Sequence, residues 1–531
     1  MAEFFSYYGV SANLISYLTG PLGQSTATAA ENVNAWSGIA MLMPLLGAFV
    51  ADSFLGRYRT IVVASALYIL GIGLLTLSAF LTSFKSSDCQ TTSNSITLCP
   101  PSQLQVILFF FSLYLIALAQ GMHKPSIHAF GADQFDESHT EESKAKSSFF
   151  NWCNVGTCLA ITLTYLTLTY IQDSLSWGLG FGIPCLVMIF ALVWFLLGTF
   201  TYRFHATHND DQGQGQGKPF SRIGRVFIKA AKNWRTISCA KGMDAENQEH
   251  VLPNLGSQQF KFLNKALLSF DGSMEEGQVC SISEVEDAKT ILRLVPIWCS
   301  CFAYGIVFSQ PPTLFTKQGL TMERFVTSKF QVPAASLQSF SSVTIMVFLC
   351  LYDRAVVPIA RAITRKTSGI TMLQRIGTGI FFSILCVFVA ALVERKRLEI
   401  IKEFGLVDLP NATVPMSVAW LLPQYLLLGV SCAFTITGLQ QFFYDQMPNE
   451  LKSTGLALYL TTLGLGELLS SVLISVIQKV TGGSDAHDDH WFSDNPMKGH
   501  LDYFYWLLVG VSTMSFAAFV YFAKGYTYRN Q

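Results

Sequence analysis

In this chain of 531 residues, 51% are hydrophobic and only 13% charged, whereas about 25% of residues are charged in ordinary soluble proteins. The formal net charge of +0 excludes the basic surface that a nucleic-acid partner requires. So much apolar surface with so little charge to cover it calls for a lipid bilayer as solvent.

Met1 is followed at once by an aromatic, helix-like run without a basic n-region, so no cleavable signal peptide is expected. The abrupt start suggests a missing or alternative N-terminus. A spanning helix takes about 20 mainly apolar residues. That ruler predicts spans near 2-19, 34-51, 60-83, 102-122, 147-171 and 177-202, then near 289-309, 335-357, 372-393, 416-444, 453-479 and 501-523. The expected fold is an all-α polytopic membrane protein of twelve transmembrane helices. It divides into an N-terminal six-helix bundle (1-202), a cytosolic linker (203-287), and a C-terminal six-helix bundle with a short tail (288-531).

The linker holds Gly/Gln repeats from Gln212 to Gly217 and one amphipathic stretch. Its Arg222, Arg225, Lys229 and Lys232 fall on one helical face, and Phe220, Ile223, Phe227 and Trp234 on the other. Such a helix is expected to lie flat on headgroups with its basic side outward. Basic residues set orientation. Arg57, Arg59, the linker, Arg354, Arg361, Arg365 and Lys366 share one side if both termini are cytosolic. Arg395, Lys396, Arg397 and Lys402 then fall outside, against the rule. The sequon Asn411-Ala412-Thr413 lies in that same external loop as a candidate glycosylation site. The loop Asp485 to His490 reads as solvated rather than as a metal site.

Cys153, Cys158, Cys185, Cys299, Cys301, Cys350 and Cys386 sit in apolar stretches and read as small core residues. Cys89 and Cys99 share one short polar loop, where a disulfide forms if the loop faces an oxidising compartment.

Ionisable residues inside spans are costly and therefore functional candidates. Glu3, Lys124 and Glu467 are the notable ones, with His123 and His128 beside Lys124. A Lys and a Glu that pair and separate let proton binding bias one bundle arrangement over another. The bland alternatives are a solvated Glu3 and a Lys124 that snorkels to the interface. The halves also echo each other: Asp52-x-x-x-Gly56-Arg57 follows the second span, and Tyr352-Asp353-Arg354 follows its counterpart. Paired repeats of this kind imply two bundles rocking around a midplane cavity.

Phe130-Gly-Ala-Asp-Gln-Phe-Asp136 and Ala51-Asp-Ser-Phe-Leu-Gly-Arg57 resemble signatures of the proton-dependent oligopeptide transporter family of the major facilitator superfamily. Val332-Pro-Ala-Ala-Ser-Leu337, Leu373-Gln-Arg-Ile-Gly377, Pro423-Gln-Tyr425 and Phe442-Phe-Tyr-Asp-Gln446 resemble its plant nitrate and peptide branch. The resemblance implies a Glu-x-x-Glu-Arg pattern on the first helix, paired with a Lys on the fourth. Glu3 matches the second Glu, Lys124 the Lys, and Phe4 stands at the cationic position. Tyr7 and Tyr8 match a site-lining tyrosine pair, and Phe308 aligns with a nitrate-binding histidine. Ser431, Cys432 and Gln441 stand where acids are common, and Glu467 replaces a small polar residue.

These matches imply a secondary active transporter, proton-coupled, for nitrate or another small anionic or organic solute, with peptides fitting less well. Proton coupling falls to Glu3, Lys124 and Glu467. The cavity falls to Tyr7, Tyr8, Phe308, Gln310, Cys432 and Gln441, and gating to Asp52 and Arg57. Arg57-x-x-Thr60 resembles a basic-directed phosphorylation site, so a regulatory kinase is an expected partner. The alternatives are an uncoupled facilitator or exporter, and a transport-dead nutrient sensor. No catalytic motif, cofactor or metal is expected. The membrane is plasma or vacuolar.

Overall fold

The computed structural model describes residues 1-86, 102-132, 134-135, 140-203, 219-232, 260-267, 280-327, 330-352, 354, 358-359, 362, 370-448, 452-481, 491-493 and 495-528. The first half contains α1 (Ala2–Ser11), α2 (Leu14–Thr19), α3 (Thr26–Val50), α4 (Arg57–Ser86), α5 (Gln103–Ala132), α6 (Thr140–Ser174) and α7 (Trp177–Leu197). The linker carries α8 (Pro219–Lys232). The second half contains α9 (Ile282–Cys299), α10 (Phe302–Phe308), α11 (Thr316–Leu320), α12 (Gln338–Leu351), α13 (Met372–Glu403), α14 (Leu422–Gln446), α15 (Lys452–Thr481) and α16 (Leu501–Lys524).

Among the described residues, ten helices are long and apolar enough to cross a bilayer, and α9 with the α10 to α11 stretch makes an eleventh, bent by 44°. The expected first span, 2-19, is two short helices, α1 and α2, broken at Ala12 and Asn13. The helix expected from 289 starts seven residues earlier, at Ile282. Ser281 Oγ accepts from the Glu284 amide, while the Glu284 carboxylate accepts from the Ser281 amide. This reciprocal cap starts α9 at Ile282.

Lipid offers no partner to a freed backbone group, so each break must be satisfied within the protein. The Ala12 carbonyl at the first break accepts from Gln338 Nε2 of the other half at 2.9 Å. In the second half Gln310 Nε2 donates to Ile306 O at 2.7 Å, and Thr316 Oγ1 to Pro311 O at 2.7 Å. These side chains hold a π-helical turn, Pro311–Phe315, between α10 and α11.

The halves meet where α3 crosses α15. A Cβ on Gly38 would lie 2.7 Å from the Gly464 carbonyl oxygen, so the two backbones touch without intervening side chains. Gly466 packs α15 against α10 in the same way, its virtual Cβ falling 2.5 Å from Gly305 Cα. Small residues at crossings are how helices associate where no hydrophobic effect drives them together.

At the end away from the termini, β1 (Met322–Glu323) pairs in parallel with β4 (Val414–Ser417), and β2 (Phe325–Thr327) with β3 (Phe330–Gln331) in antiparallel fashion. The halves are fastened there by Lys317 Nζ on Thr19 Oγ1 at 3.1 Å and by Arg324 near Asp173 at 3.9 Å. Burial pushes the Arg324 guanidinium below its ordinary pKa, and Asp173 opposes that shift.

The same end corrects the reading of 395-402 as an exposed basic loop. These residues are the last turns of α13, which runs to Glu403. Arg397 is buried and forms a bidentate pair with Glu394, at 2.9 Å through Nε and 2.5 Å through Nη2. Gln318 and Thr321 complete the network. Lys396, exposed, lies 3.7 Å from the Trp420 ring centroid, and Arg395, Glu399 and Lys402 are likewise at the surface, with Arg395 and Glu399 paired at 3.3 Å. Asn411 is exposed in the loop that follows, as a glycosylation site requires.

At the terminus-bearing end the two family-like signatures form aromatic and cationic joints. Phe130 packs on Tyr58, Phe195 and Tyr202, and Tyr58 hydrogen-bonds Thr199 at 2.7 Å. Arg375 lies 4.2 Å from the Tyr352 ring centroid. Gly56 adopts φ +72, a left-handed conformation that favours glycine, and so sets the turn between α3 and α4. Cys301 and Cys386 are buried as expected, while Cys299 and Cys350 are exposed. The Cys89 and Cys99 pair and the loop from Asp485 to His490 lie outside the described residues.

The linker helix differs from expectation. Its apolar face is taken by protein: Val226 and Ala230 are buried with Leu263, Ala266, Cys280, Val285 and Ala288, flanked by Ile223 and Phe227. It therefore cannot offer that face to lipid.

Removing one member of a buried ion pair strands the other charge, at a cost of about 3–5 kcal/mol, whereas removing both costs far less. Arg397→Met should accordingly lower the thermal midpoint of the detergent-solubilised protein sharply, and Arg397→Met combined with Glu394→Met should recover most of the loss. Equal midpoints for the single and double variants would show that the pair is structurally idle.

Candidate functional site

α1 and α5 bring the expected coupling residues together. Glu3 sits in the first turn of α1, where the helix dipole favours a carboxylate. It is 5% exposed, so it is not the solvated terminal residue of the bland alternative. Lys124 and Gln120 lie beside its carboxylate, and the Oε1 atom remains without a hydrogen-bond partner. Lys124 is held by Phe4, with Nζ 4.9 Å from the ring centroid. The aromatic face thus stands where the family pattern places a second cation, and it attracts the ammonium instead of repelling it. Pro125 follows Lys124 and leaves the Gly121 carbonyl without its helical donor. Gly47 of α3 packs on that carbonyl, where any Cβ would overlap it.

A cavity of about 400 Å³ borders Glu3 within the first half. Glu3, His123, Thr157 and Ser65 are the polar members of an otherwise mostly apolar wall that includes Phe4, Ile61 and Met188. It has room for water beside the carboxylate. The side chain of His128 lies outside the described residues.

The tyrosine pair links this region to the seam. Tyr7 stacks on Trp36 at 5.4 Å, meets Tyr8 edge-on at 5.3 Å, and hydrogen-bonds Ser37 at 3.2 Å. Ser37 is also the polar neighbour of the Glu467 carboxylate from across the seam. Glu467 is 3% exposed and its Oε2 has no partner. It stands one turn from the Gly38 and Gly464 contact, and one turn further Asn34 Nδ2 donates to Ser470 Oγ at 3.1 Å.

Across the gap, Tyr8 and Tyr165 face Cys432 of α14. Tyr304 Oη donates to Cys432 Sγ at 3.3 Å, and Phe308 packs beside Tyr304 at 6.4 Å. Tyr304, Phe308 and Cys432 offer a hydroxyl, a ring and a thiol, and the acid that the second half brings towards Tyr8 is Glu467. Ser431 turns into the bundle and donates to Gly379 O at 2.6 Å.

Two expected cavity residues lie elsewhere. Gln310 is fully buried and fastens the break after α10, also reaching Ser470 at 3.5 Å, so its role is in the seam. Gln441 is exposed, nine residues beyond Cys432 along α14, about 13 Å away at 1.5 Å per residue. Among the gating residues, Arg57 is half-buried at the start of α4, and the Asp52 side chain lies outside the described residues. Thr60 is fully buried and donates to Gly56 O at 2.9 Å, so a kinase could reach it only if the first turn of α4 unwound.

Sequence reasoning missed Ser37, Trp36, Gln120, Tyr165 and Tyr304. None is ionised, and each gains meaning only from its neighbour on another helix.

The POT family model matches residues 58-491. Protein NRT1/ PTR FAMILY 5.10 of Arabidopsis thaliana is 57% identical over 526 residues, covering 99% of this chain and 91% of the relative. Protein NRT1/ PTR FAMILY 5.13 of the same plant is 51% identical over 532 residues, covering 100% and 91%. A crystal structure of an auto-inhibited POT family peptide transporter matches with a TM-score of 0.69 at 20% identity, over 100% of this chain and 96% of that one. The POT family transporter PepTSo matches with a TM-score of 0.66 at 20% identity, over 99% and 96%. At such identity these structures speak for the major facilitator fold alone, but the family model and the plant relatives go further: the chain belongs to the POT family and is a multi-pass membrane transporter of its NRT1/PTR branch.

Proposed function

We propose that this transporter carries nitrate or another small anionic solute together with protons, by alternating access between its two halves. The observation that carries the proposal is the buried Glu3 with the half-buried Lys124 beside it, opposite the neutral side chains of Tyr304, Phe308 and Cys432. When Glu3 is ionised, Lys124 is neutralised by it. When Glu3 takes a proton, Lys124 becomes an uncompensated cation in a mostly apolar setting, where an anion is the group that restores balance. A proton and an anion therefore enter together. The neutral wall of Tyr304, Phe308 and Cys432 provides no anchor for the amino end of a peptide, which favours a compact anion.

Glu467 supplies a second proton site. Its ionised form sits at the closed seam facing Ser37 and Tyr7, with neither group able to neutralise it. The neutral acid suits that closed seam, and the carboxylate favours an arrangement in which water enters. The basic residues Arg57, Arg59 and Arg354 at the terminus-bearing end and the sequon at the other support cytosolic termini.

Nitrate uptake into proteoliposomes should rise with an imposed proton gradient. Glu3→Gln should cut the gradient-driven component about ten-fold or more, as loss of an interaction worth at least about 1.4 kcal/mol does, while sparing nitrate counterflow. Gradient-independent uptake by the unmodified protein would favour an uncoupled facilitator, and nitrate binding without any flux a sensor.

A second measurement isolates Glu467. Glu467→Gln fixes the neutral form, so its uptake should lose the fall that the unmodified protein shows as pH rises on the sequon-bearing side. An unchanged pH profile would leave coupling to Glu3 and Lys124 alone.

A further inference from the structure

The linker helix presents a face that transport leaves unused. α8 buries Val226 and Ala230 against Leu263 and Ala266 of the linker and against Val285 and Ala288 of α9. On its opposite side Arg225, Ile228, Lys229 and Lys232 follow one another at helical spacings of three and four residues. Arg225 and Lys232 are exposed, Lys229 is half-exposed, and Ile228 is 59% exposed although apolar. A basic stripe with one protruding aliphatic side chain matches the outer layer of a bilayer, where cations meet phosphates and an apolar group dips inward.

The depth of the docking site agrees. From Leu294 to Thr316 the chain carries no charge, so the hydrocarbon layer begins near Leu294. Ala288 and Val285 precede Leu294 by six and nine residues along α9, or about 9–14 Å at 1.5 Å per residue. A helix about 10–12 Å across, centred at that depth, reaches the headgroup layer.

We infer that the stripe Arg225, Ile228, Lys229 and Lys232 is a binding surface for anionic lipid headgroups. The arrangement reverses the usual interfacial helix: the apolar face is spent on the protein, and the charged face meets the lipid. Because α8 is docked on α9, lipid charge acts on the first segment of the helix that bends before Phe302.

The test uses the whole chain in nanodiscs of phosphatidylcholine, with or without 30% phosphatidylserine, and reads backbone amide exchange across 222-232. Each Lys or Arg near an anionic surface contributes enough for exchange to slow about ten-fold or more when phosphatidylserine is present. The slowing should vanish in 0.5 M salt, where screening is short-ranged, and in the triple variants R225E/K229E/K232E and R225Q/K229Q/K232Q. Exchange that is the same in both nanodiscs, or slowing that survives in the triple variants, would overturn the inference. So would equal slowing by inositol hexakisphosphate in pure phosphatidylcholine, which would assign the stripe to a soluble polyanion. The readout involves no solute flux, so it stands or falls separately from the proposal of anion transport.

Discussion

A charged side chain within a hydrocarbon layer has no water to hydrate it, and the arrangement of this protein follows from how that cost is met. Arg397 is neutralised by Glu394 and closed in by Gln318 and Thr321, a finished network with nothing left to bind. Glu3 and Lys124 are the unfinished counterpart. Their carboxylate keeps one oxygen without a partner, and the ammonium leans on an aromatic ring. Glu467 is less finished still, with hydroxyl neighbours and no cation across from it. The gradation from complete to incomplete satisfaction separates groups that hold the fold from groups suited to exchanging a proton.

The same constraint governs the backbone. Spans that bend must find new partners for the groups they free, and here those partners come from Gln and Thr side chains at the breaks. Gln338 is instructive because it serves the Ala12 carbonyl from the opposite half. Local repair of a helix and closure of the far end are thus one hydrogen bond, and the end cannot open without giving the repair up.

Much of the fold was legible from composition and length. Apolar runs locate the spans, and the spacing of Ser281 and Glu284 is a capping signal for the start of α9. The breaks were not legible, since in the run 2-19 a single polar Asn13 between Ala12 and Leu14 does not stop an otherwise apolar pattern, and periodicity does not register a partner on another helix. Basic residues at 395-402 read as a loop because the apolar run stops at 393, whereas the helix continues to Glu403 and pairs Arg397 with Glu394 one turn before it. At the candidate site, ionised residues stand out against lipid-like surroundings, which is why Glu3, Lys124 and Glu467 draw attention in the sequence. Neutral residues gave no such contrast: Gln310 and Gln441 were placed in the cavity by alignment alone, while Ser37 and Tyr304 went unnoticed.

The contact between Gly38 and Gly464 has a geometric consequence. Gly38 lies midway along α3, with twelve residues to Thr26 and twelve to Val50, so each arm is about 18 Å long at 1.5 Å per residue. A fulcrum in that place makes the two ends of the helix move by equal and opposite amounts, about 3 Å for every ten degrees of tilt. The stroke is symmetrical: whatever width is gained on one face of the membrane is surrendered on the other. Small rotations therefore suffice to open a path a few ångströms wide.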